Sequence, residues 1–381
     1  MPPAQTAATR LPSLTALRFP AALAVFVCHA VTLGSLRHER AAPTALFLLG
    51  PAGLSLFFVL SGFVLTWSAR EADTSRAFWR RRVLKIYPSH LVVLALLILW
   101  VWVLGMPRPD LGLGTDPPPL GDVANASLLN ALVPLPQIIT AGNLVTWSLT
   151  CELLFYALFP RLFRRLARVP TRLLPHAAAC TVAVACVVPA LALGLDGPRI
   201  DQSVVPLDLT EVQMWVVYSL PPTRLPEFVL GMILARMHGR SPAPRTGVVA
   251  PSCLLAAVLL TGPEVLPAPF LPAAVTLVPI ALLVRAAAAA STRERVGWSH
   301  TPLLVYLGTL SYAFYLLHLP VLTAVQHGLG GTWTAVPVAV TALAATLPAS
   351  LLLHTFVERP CIRLFSGARP VSRPREDRSS V

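Results

Sequence analysis

The chain has 381 residues, 55% of them hydrophobic and 12% charged, with a mean hydropathy of +0.68. That composition excludes a soluble globular domain. The formal net charge of +13 invites nucleic acid as a partner, but the basic residues sit in short clusters between apolar runs, the pattern that orients a chain in a lipid bilayer. Anionic headgroups and anionic cytosolic ligands are the expected partners of that charge, and no nucleic acid.

Apolar runs of about 18–25 residues recur along the chain and predict an all-α, polytopic helical membrane protein. About ten spans are expected, at roughly 14–36, 44–68, 83–105, 142–163, 173–194, 211–238, 246–265, 268–290, 302–326 and 333–357. The first is read as a retained helix rather than a removed signal peptide, because no small-residue cleavage site follows it. Pro221 and Pro222 interrupt the sixth, which is expected to be two short helices meeting at a break. Irregular backbone of this kind is tolerated at membrane depth where it lines a cavity.

The loops set the orientation. Arg70, Arg76 and Arg80 to Arg82 follow the second span, and Arg161, Arg164, Arg165, Arg168 and Arg172 follow the fourth. Arg236, Arg240 and Arg245 follow the sixth, Arg293 and Arg295 the eighth, while the opposite loops are poor in arginine and carry most of the aspartates. The positive-inside rule then places both termini in the cytoplasm of a bacterial cell. The Pro- and Gly-rich loop 106–142 faces outside and is long enough to cap an outer cavity. Residues 1–362 are expected to form one membrane domain, and the basic residues 363–381 a disordered cytoplasmic tail.

Six cysteines lie scattered and mostly inside apolar runs, with no spacing that suits a metal; none is expected. Ionisable residues inside the spans are more informative. The first span, Leu14 to Gly34, carries Arg18 and His29. At 100° and 1.5 Å per residue they return to within about 20° of one face, separated by about 16 Å along the axis. Such groups in lipid face a bundle interior or a water-filled cavity and mark a path or a reaction site. An Arg snorkelling to the interface and a His satisfied by packing is the plainer reading.

Glu152 lies within the fourth span, and a membrane-embedded carboxylate needs a partner. His29 or an arginine is the expected one; a Glu–His pair is also a general-base arrangement, and a structural ion pair is the alternative. Arg224 and Glu227, three residues apart beside the break in the sixth span, are read as a local structural pair. Ser311, Tyr315 and His318 share one face of the ninth span, as cavity lining or as a polar seam between helices. Ser61, in Leu60-Ser61-Gly62-Phe63, belongs to a segment that allows close helix approach and is a candidate for lining the cavity. The run Phe78-Trp79-Arg80-Arg81-Arg82-Val83-Leu84-Lys85-Ile86-Tyr87-Pro88 puts a cluster of cations at the cytoplasmic mouth, an anchor for headgroups or a docking site for phosphates.

Together these motifs resemble the membrane-bound acyltransferase 3 family of bacterial integral-membrane O-acyltransferases, over about residues 12 to 362. Arg18 and His29 are similar to its Arg-x10-His signature, and Phe57-Phe58-Val59-Leu60-Ser61-Gly62-Phe63 to its FFxLSGF segment. The basic run resembles its cytoplasmic RxxR motif, with Lys85 in place of the second arginine, which keeps the charge and loses the planar fork. Trp147-Ser148-Leu149 with Glu152 and Tyr156 resembles its WSLxxExxFY helix. Arg224-x-x-Glu227-Phe228-x-x-Gly231, Ser311 to His318 and Glu358-x-Pro360 match later segments.

The resemblance implies ten helices, no bound cofactor, and transfer of an acyl group from cytoplasmic acyl-CoA (commonly acetyl-CoA) to a hydroxyl. Acceptors implied are sugars of surface glycans or of macrolide antibiotics. On this reading His29, assisted by Glu152, is the general base, Arg18 stabilises the oxyanion or an anionic part of CoA, and Arg81, Arg82 and Lys85 hold the donor phosphates. A transporter or flippase for lipid-linked sugars or small glycosides is the alternative. It would use the same buried charges as a path and the broken span as a gate.

Overall fold

The computed structural model describes residues 11–38, 43–69, 73–108, 117–238, 247–292, 301–329 and 334–365. Among them every regular element is a helix, apart from one isolated β-bridge between Arg199 and Thr210. In chain order the α-helices are α1 (Pro12–Ala16), α2 (Arg18–His38), α3 (Thr44–Ser68), α4 (Ser75–Ile98), α5 (Pro119–Ala126), α6 (Pro136–Ile139), α7 (Trp147–Ala167) and α8 (Leu174–Ala192). They continue as α9 (Glu211–Met214), α10 (Pro221–Met237), α11 (Val249–Val265), α12 (Leu277–Thr292), α13 (Pro302–Gly328), α14 (Ala335–Leu353) and α15 (Arg359–Phe365). Pro12, Pro119, Pro136, Pro221 and Pro302 each open a helix, where the missing N–H has no partner to lose.

The all-α membrane architecture expected from the apolar runs is the one observed. Among the described residues, seven helices are long and apolar enough to cross a membrane. The expected count of about ten rests on three further stretches that meet the requirement less well. One is α7, which gathers Glu152 and several arginines; another is α11, 17 residues long; the third is the broken pair α9–α10. The break falls where the two prolines put it. A π-helical turn, Trp215–Ser219, ends at an extended Leu220, and α10 restarts on Pro221. At the other end the tail was expected to begin at 363. The helix α15 runs through Phe365, and the remainder of that tail lies outside the described residues.

The bundle is organised around α3, which is buried along most of its length between α2 and α10. Two glycines set the closest approach. A Cβ on Gly62 would lie 2.0 Å from the Phe228 carbonyl oxygen, and one on Gly231 would lie 2.0 Å from that of Val59. Backbone therefore meets backbone reciprocally, as small residues permit between helices in lipid. Leu96, Val103, Leu191, Leu260, Val340 and Phe356 stay exposed around the outside, the surface that hydrocarbon covers.

The loop expected to cap a cavity is folded down onto the bundle. Asn125, fully buried, donates through Nδ2 to the Ala141 carbonyl at 2.7 Å and to Thr146 Oγ1 at 2.8 Å. Asn143 Nδ2 donates to the Leu316 carbonyl on α13 at 2.9 Å. These bonds satisfy backbone groups that a buried irregular loop would otherwise leave unpaired.

Candidate functional site

Among the described residues, two cavities lie at different depths along α2. The first, of about 70 Å³, is lined by Arg18 from α2, Ser61 from α3, Arg82 and Lys85 from α4, Glu152 and Tyr156 from α7, and Ser311 and Tyr315 from α13. Arg18 Nε donates to Ser311 Oγ at 3.2 Å, and its guanidinium carbon lies 6.0 Å from the Phe57 ring centroid. The Tyr156 hydroxyl donates to Glu152 Oε2 at 2.9 Å. Arg82 rests over the Phe78 ring at 5.6 Å, and its Nε finds no hydrogen-bond partner among the described residues. Arg18, Arg82 and Lys85 thus face a single lining carboxylate, a charge balance that suits an anionic ligand.

Arg81 does not join them. One residue along a helix turns the side chain by about 100°, and the Arg81 guanidinium is instead held by Asp73 at 2.6 Å, away from the cavity. Of the three residues expected to hold the donor, Arg82 and Lys85 line this cavity together with Arg18, and Arg81 does not.

The second cavity is larger, about 360 Å³, within the range of small-molecule pockets. His29 and Thr32 line it from α2, Trp147 from α7, and Trp215 and Tyr218 from the π-helical turn. Pro134, Pro136, Ile139 and Thr140 of the folded loop form one wall, as the loop's length and composition led us to expect. Trp147 and Tyr218 pack with ring centroids 4.6 Å apart. At the rim Arg199 pairs with Asp208, while hydrogen bonds from the Ser203 backbone and side chain hold the Asp201 carboxyl below the usual range.

His29 and Glu152 line different cavities, so the expected pair between them is not formed. The partner of His29 is His318 on α13, with His29 Nδ1 and His318 Nε2 2.8 Å apart and the ring planes within 15°. His318 is fully buried and lines neither cavity, which corrects its expected place as a lining residue. Ser61 and Tyr315 do line the first cavity, as expected. The face shared by Ser311, Tyr315 and His318 is real and connects the two sites. Ser311 holds Arg18, His318 holds His29, and Tyr315 stands between them, its hydroxyl donating to the Val145 carbonyl at 2.8 Å.

Arg224 and Glu227 behave as the local pair that their spacing suggests, with Arg224 Nε donating to Glu227 Oε2 at 2.9 Å in a fully buried site. Ser55 completes it by donating to Glu227 Oε1 at 2.7 Å and accepting from Arg224 Nη2 at 3.2 Å. The triad pins α3 to α10 and lines neither of the two cavities. Trp215 and Tyr218 went unnoticed in the sequence. The signal was there, a pair of aromatics next to a proline break, but helical periodicity is not kept through a π-turn. Among the described residues no cluster of His, Cys, Asp or Glu suits a metal ion.

The chain is similar to known proteins over nearly its whole length. Residues 11–355 match a family described as an acyltransferase domain. Over 376 residues the chain is 38% identical to "Acyltransferase MdmB" of Streptomyces mycarofaciens, covering 95% of this chain and 94% of that protein. No solved structure matches the chain.

Proposed function

The chain belongs to the acyltransferase 3 family and is a membrane enzyme that transfers acyl groups, and from that premise we propose that it moves an acyl group, acetyl in the first instance, from cytoplasmic acyl-CoA to a hydroxyl of a carbohydrate-containing acceptor. The acceptor is a surface glycan or a macrolide-type glycoside. The observation that carries this reading is the pair of cavities, one cationic and one aromatic, connected along a single buried face of α13. Positive-inside placement of the arginine clusters puts the Arg18 cavity toward the cytoplasm, where the donor is, and both termini on that side.

Arg82 and Lys85 bind phosphates of the donor, and Arg18, in the same cavity and about 16 Å from His29 along α2, faces an anionic part of CoA. The first cavity is too small for a nucleotide, so the nucleotide stays at the mouth and only the thioester-bearing arm enters. Aromatic walls and hydrogen-bonding loop residues suit a sugar ring in the second cavity. There His29 takes the proton of the acceptor hydroxyl as its oxygen attacks the thioester carbonyl. The tetrahedral oxyanion collapses, the C–S bond breaks, and the departing thiolate takes up the proton. Glu152 offsets part of the cationic charge and orients Tyr156. The transporter alternative explains the buried charges but not the family membership.

The test uses purified protein in detergent with acetyl-CoA and a panel of methyl glycosides and macrolide glycosides. Free CoA should appear only with an acceptor present, together with a product heavier by one acetyl group. Full activity with a donor that is not a thioester, or acylation confined to non-carbohydrate acceptors, would overturn the reading. The same assay separates two neighbouring arginines. Arg82→Ala should raise the KM for acetyl-CoA by about tenfold, whereas Arg81→Ala, whose side chain is already paired with Asp73 outside the cavity, should stay within about twofold of wild type. Equal effects would mean that the cluster acts as a diffuse field and Arg82 has no particular place in the donor site.

A further inference from the structure

We infer that His318 is a positioning residue that sets the tautomer of His29, so that the base of the transfer reaction is the Nε2 atom of His29. The inference rests on the proposed role of His29 and goes beyond it, by naming the reacting nitrogen and the group that selects it.

Its starting point is a carbonyl oxygen, which can only accept. His318 Nδ1 lies 2.7 Å from the Tyr315 carbonyl oxygen. His318 Nδ1 must therefore carry a proton. A neutral His318 then has its lone pair on Nε2, the atom 2.8 Å from His29 Nδ1. That atom accepts, so His29 Nδ1 donates, and a neutral His29 is left with its lone pair on Nε2. The ring carrying that lone pair lines the aromatic cavity.

Other arrangements fail on geometry. Turning the His318 ring over would exchange Nδ1 with Cδ2 and Nε2 with Cε1, setting carbon against both partners. The ring is also held sideways, by Phe314 in a nearly parallel plane (8°) at 6.1 Å and by the edge of Phe26 at 6.4 Å. His318 shows no exposure at all, so water does not compete for either nitrogen. The direction of the chain of bonds matters for the reaction. When His29 Nε2 takes the acceptor proton, positive charge spreads over its ring and the Nδ1–H bond to His318 strengthens. This is the service a carboxylate gives in a triad, here supplied by a second imidazole anchored to helix backbone.

The experiment compares His318→Asn with His318→Gln, using acetyl-CoA and a macrolide glycoside. An asparagine amide reaches the Tyr315 carbonyl but stops short of His29. A glutamine amide extends far enough for its oxygen to accept from His29 Nδ1. Both keep a polar group in the buried site, and monodisperse elution in detergent with unchanged acetyl-CoA affinity reports the fold. His318→Asn should lower kcat about 100-fold with the KM for acetyl-CoA unchanged, and His318→Gln should recover kcat to within about tenfold of wild type. In the double variant with His29→Ala, His318→Asn should add no further loss, since it acts only through His29. Wild-type kcat in His318→Asn, or Gln as impaired as Asn, overturns the inference while leaving His29 as the base. Retained transfer by His29→Ala overturns the base assignment and this inference with it.

Discussion

His29→Ala is expected to abolish acyl transfer while leaving binding of the acyl donor intact. The base contributes on the order of 10²–10⁴ in rate, so kcat should fall by about 1,000-fold, about 4 kcal/mol in activation free energy. Donor affinity should be spared because the cationic residues proposed to hold the donor line a separate cavity, and Arg18 and His29 are about 16 Å apart along α2. That separation also gives the geometry of the reaction. It is comparable to the reach of a pantetheine arm, so a nucleotide held at the Arg82 mouth can present its thioester near His29. Single-turnover transfer and acetyl-CoA binding, measured on the same purified variant, check both halves. Normal transfer by folded His29→Ala protein would remove the mechanism.

Arg18 should be sensitive as well, and for a reason that a lysine cannot repair. Its guanidinium is held through Nε by Ser311 and lies against the Phe57 ring, which leaves the Nη face for the cavity. A lysine ammonium has neither the planar fork nor the Nε anchor. Arg18→Lys is therefore expected to lose about tenfold in kcat/KM and Arg18→Ala about 100-fold, the scale of a lost charge-assisted hydrogen bond. The way the loss divides locates the contact. A rise in KM with kcat kept assigns Arg18 to an anionic part of CoA, and a fall in kcat at constant KM would overturn that contact. Wild-type values for both constants in Arg18→Lys would exclude the role.

Much of the fold follows from local patterns. Apolar runs longer than a bilayer core predicted helices that are present, and Pro221 and Pro222 predicted the break that the π-turn and extended Leu220 now form. Gly62 predicted close helix approach, and it meets the Phe228 backbone while Gly231 meets that of Val59. Arg18 and His29 on one face required only the helical repeat. What these features share is that each depends on residues within a few turns of one another, where φ, ψ and hydropathy are enough.

The site's pairings are of another kind. Glu152 was expected to meet His29 or an arginine because all are ionisable and lie in lipid; it shares its cavity with Arg18 and bonds Tyr156, while His29 meets a residue 289 positions away. Arg81 and Arg82 are neighbours in the chain, and only the rotation of α4 against α7 and α13 decides which one enters the cavity. The sequence by itself determined that this protein is a helical membrane acyltransferase, with a cation and an imidazole on one stripe of its first long helix. The tertiary structure alone decided which side chains share a cavity and which nitrogen of His29 is free to take a proton. Those outcomes depend on the relative depth and rotation of helices far apart in the chain, and shifting a helix by one residue changes them without altering its hydropathy.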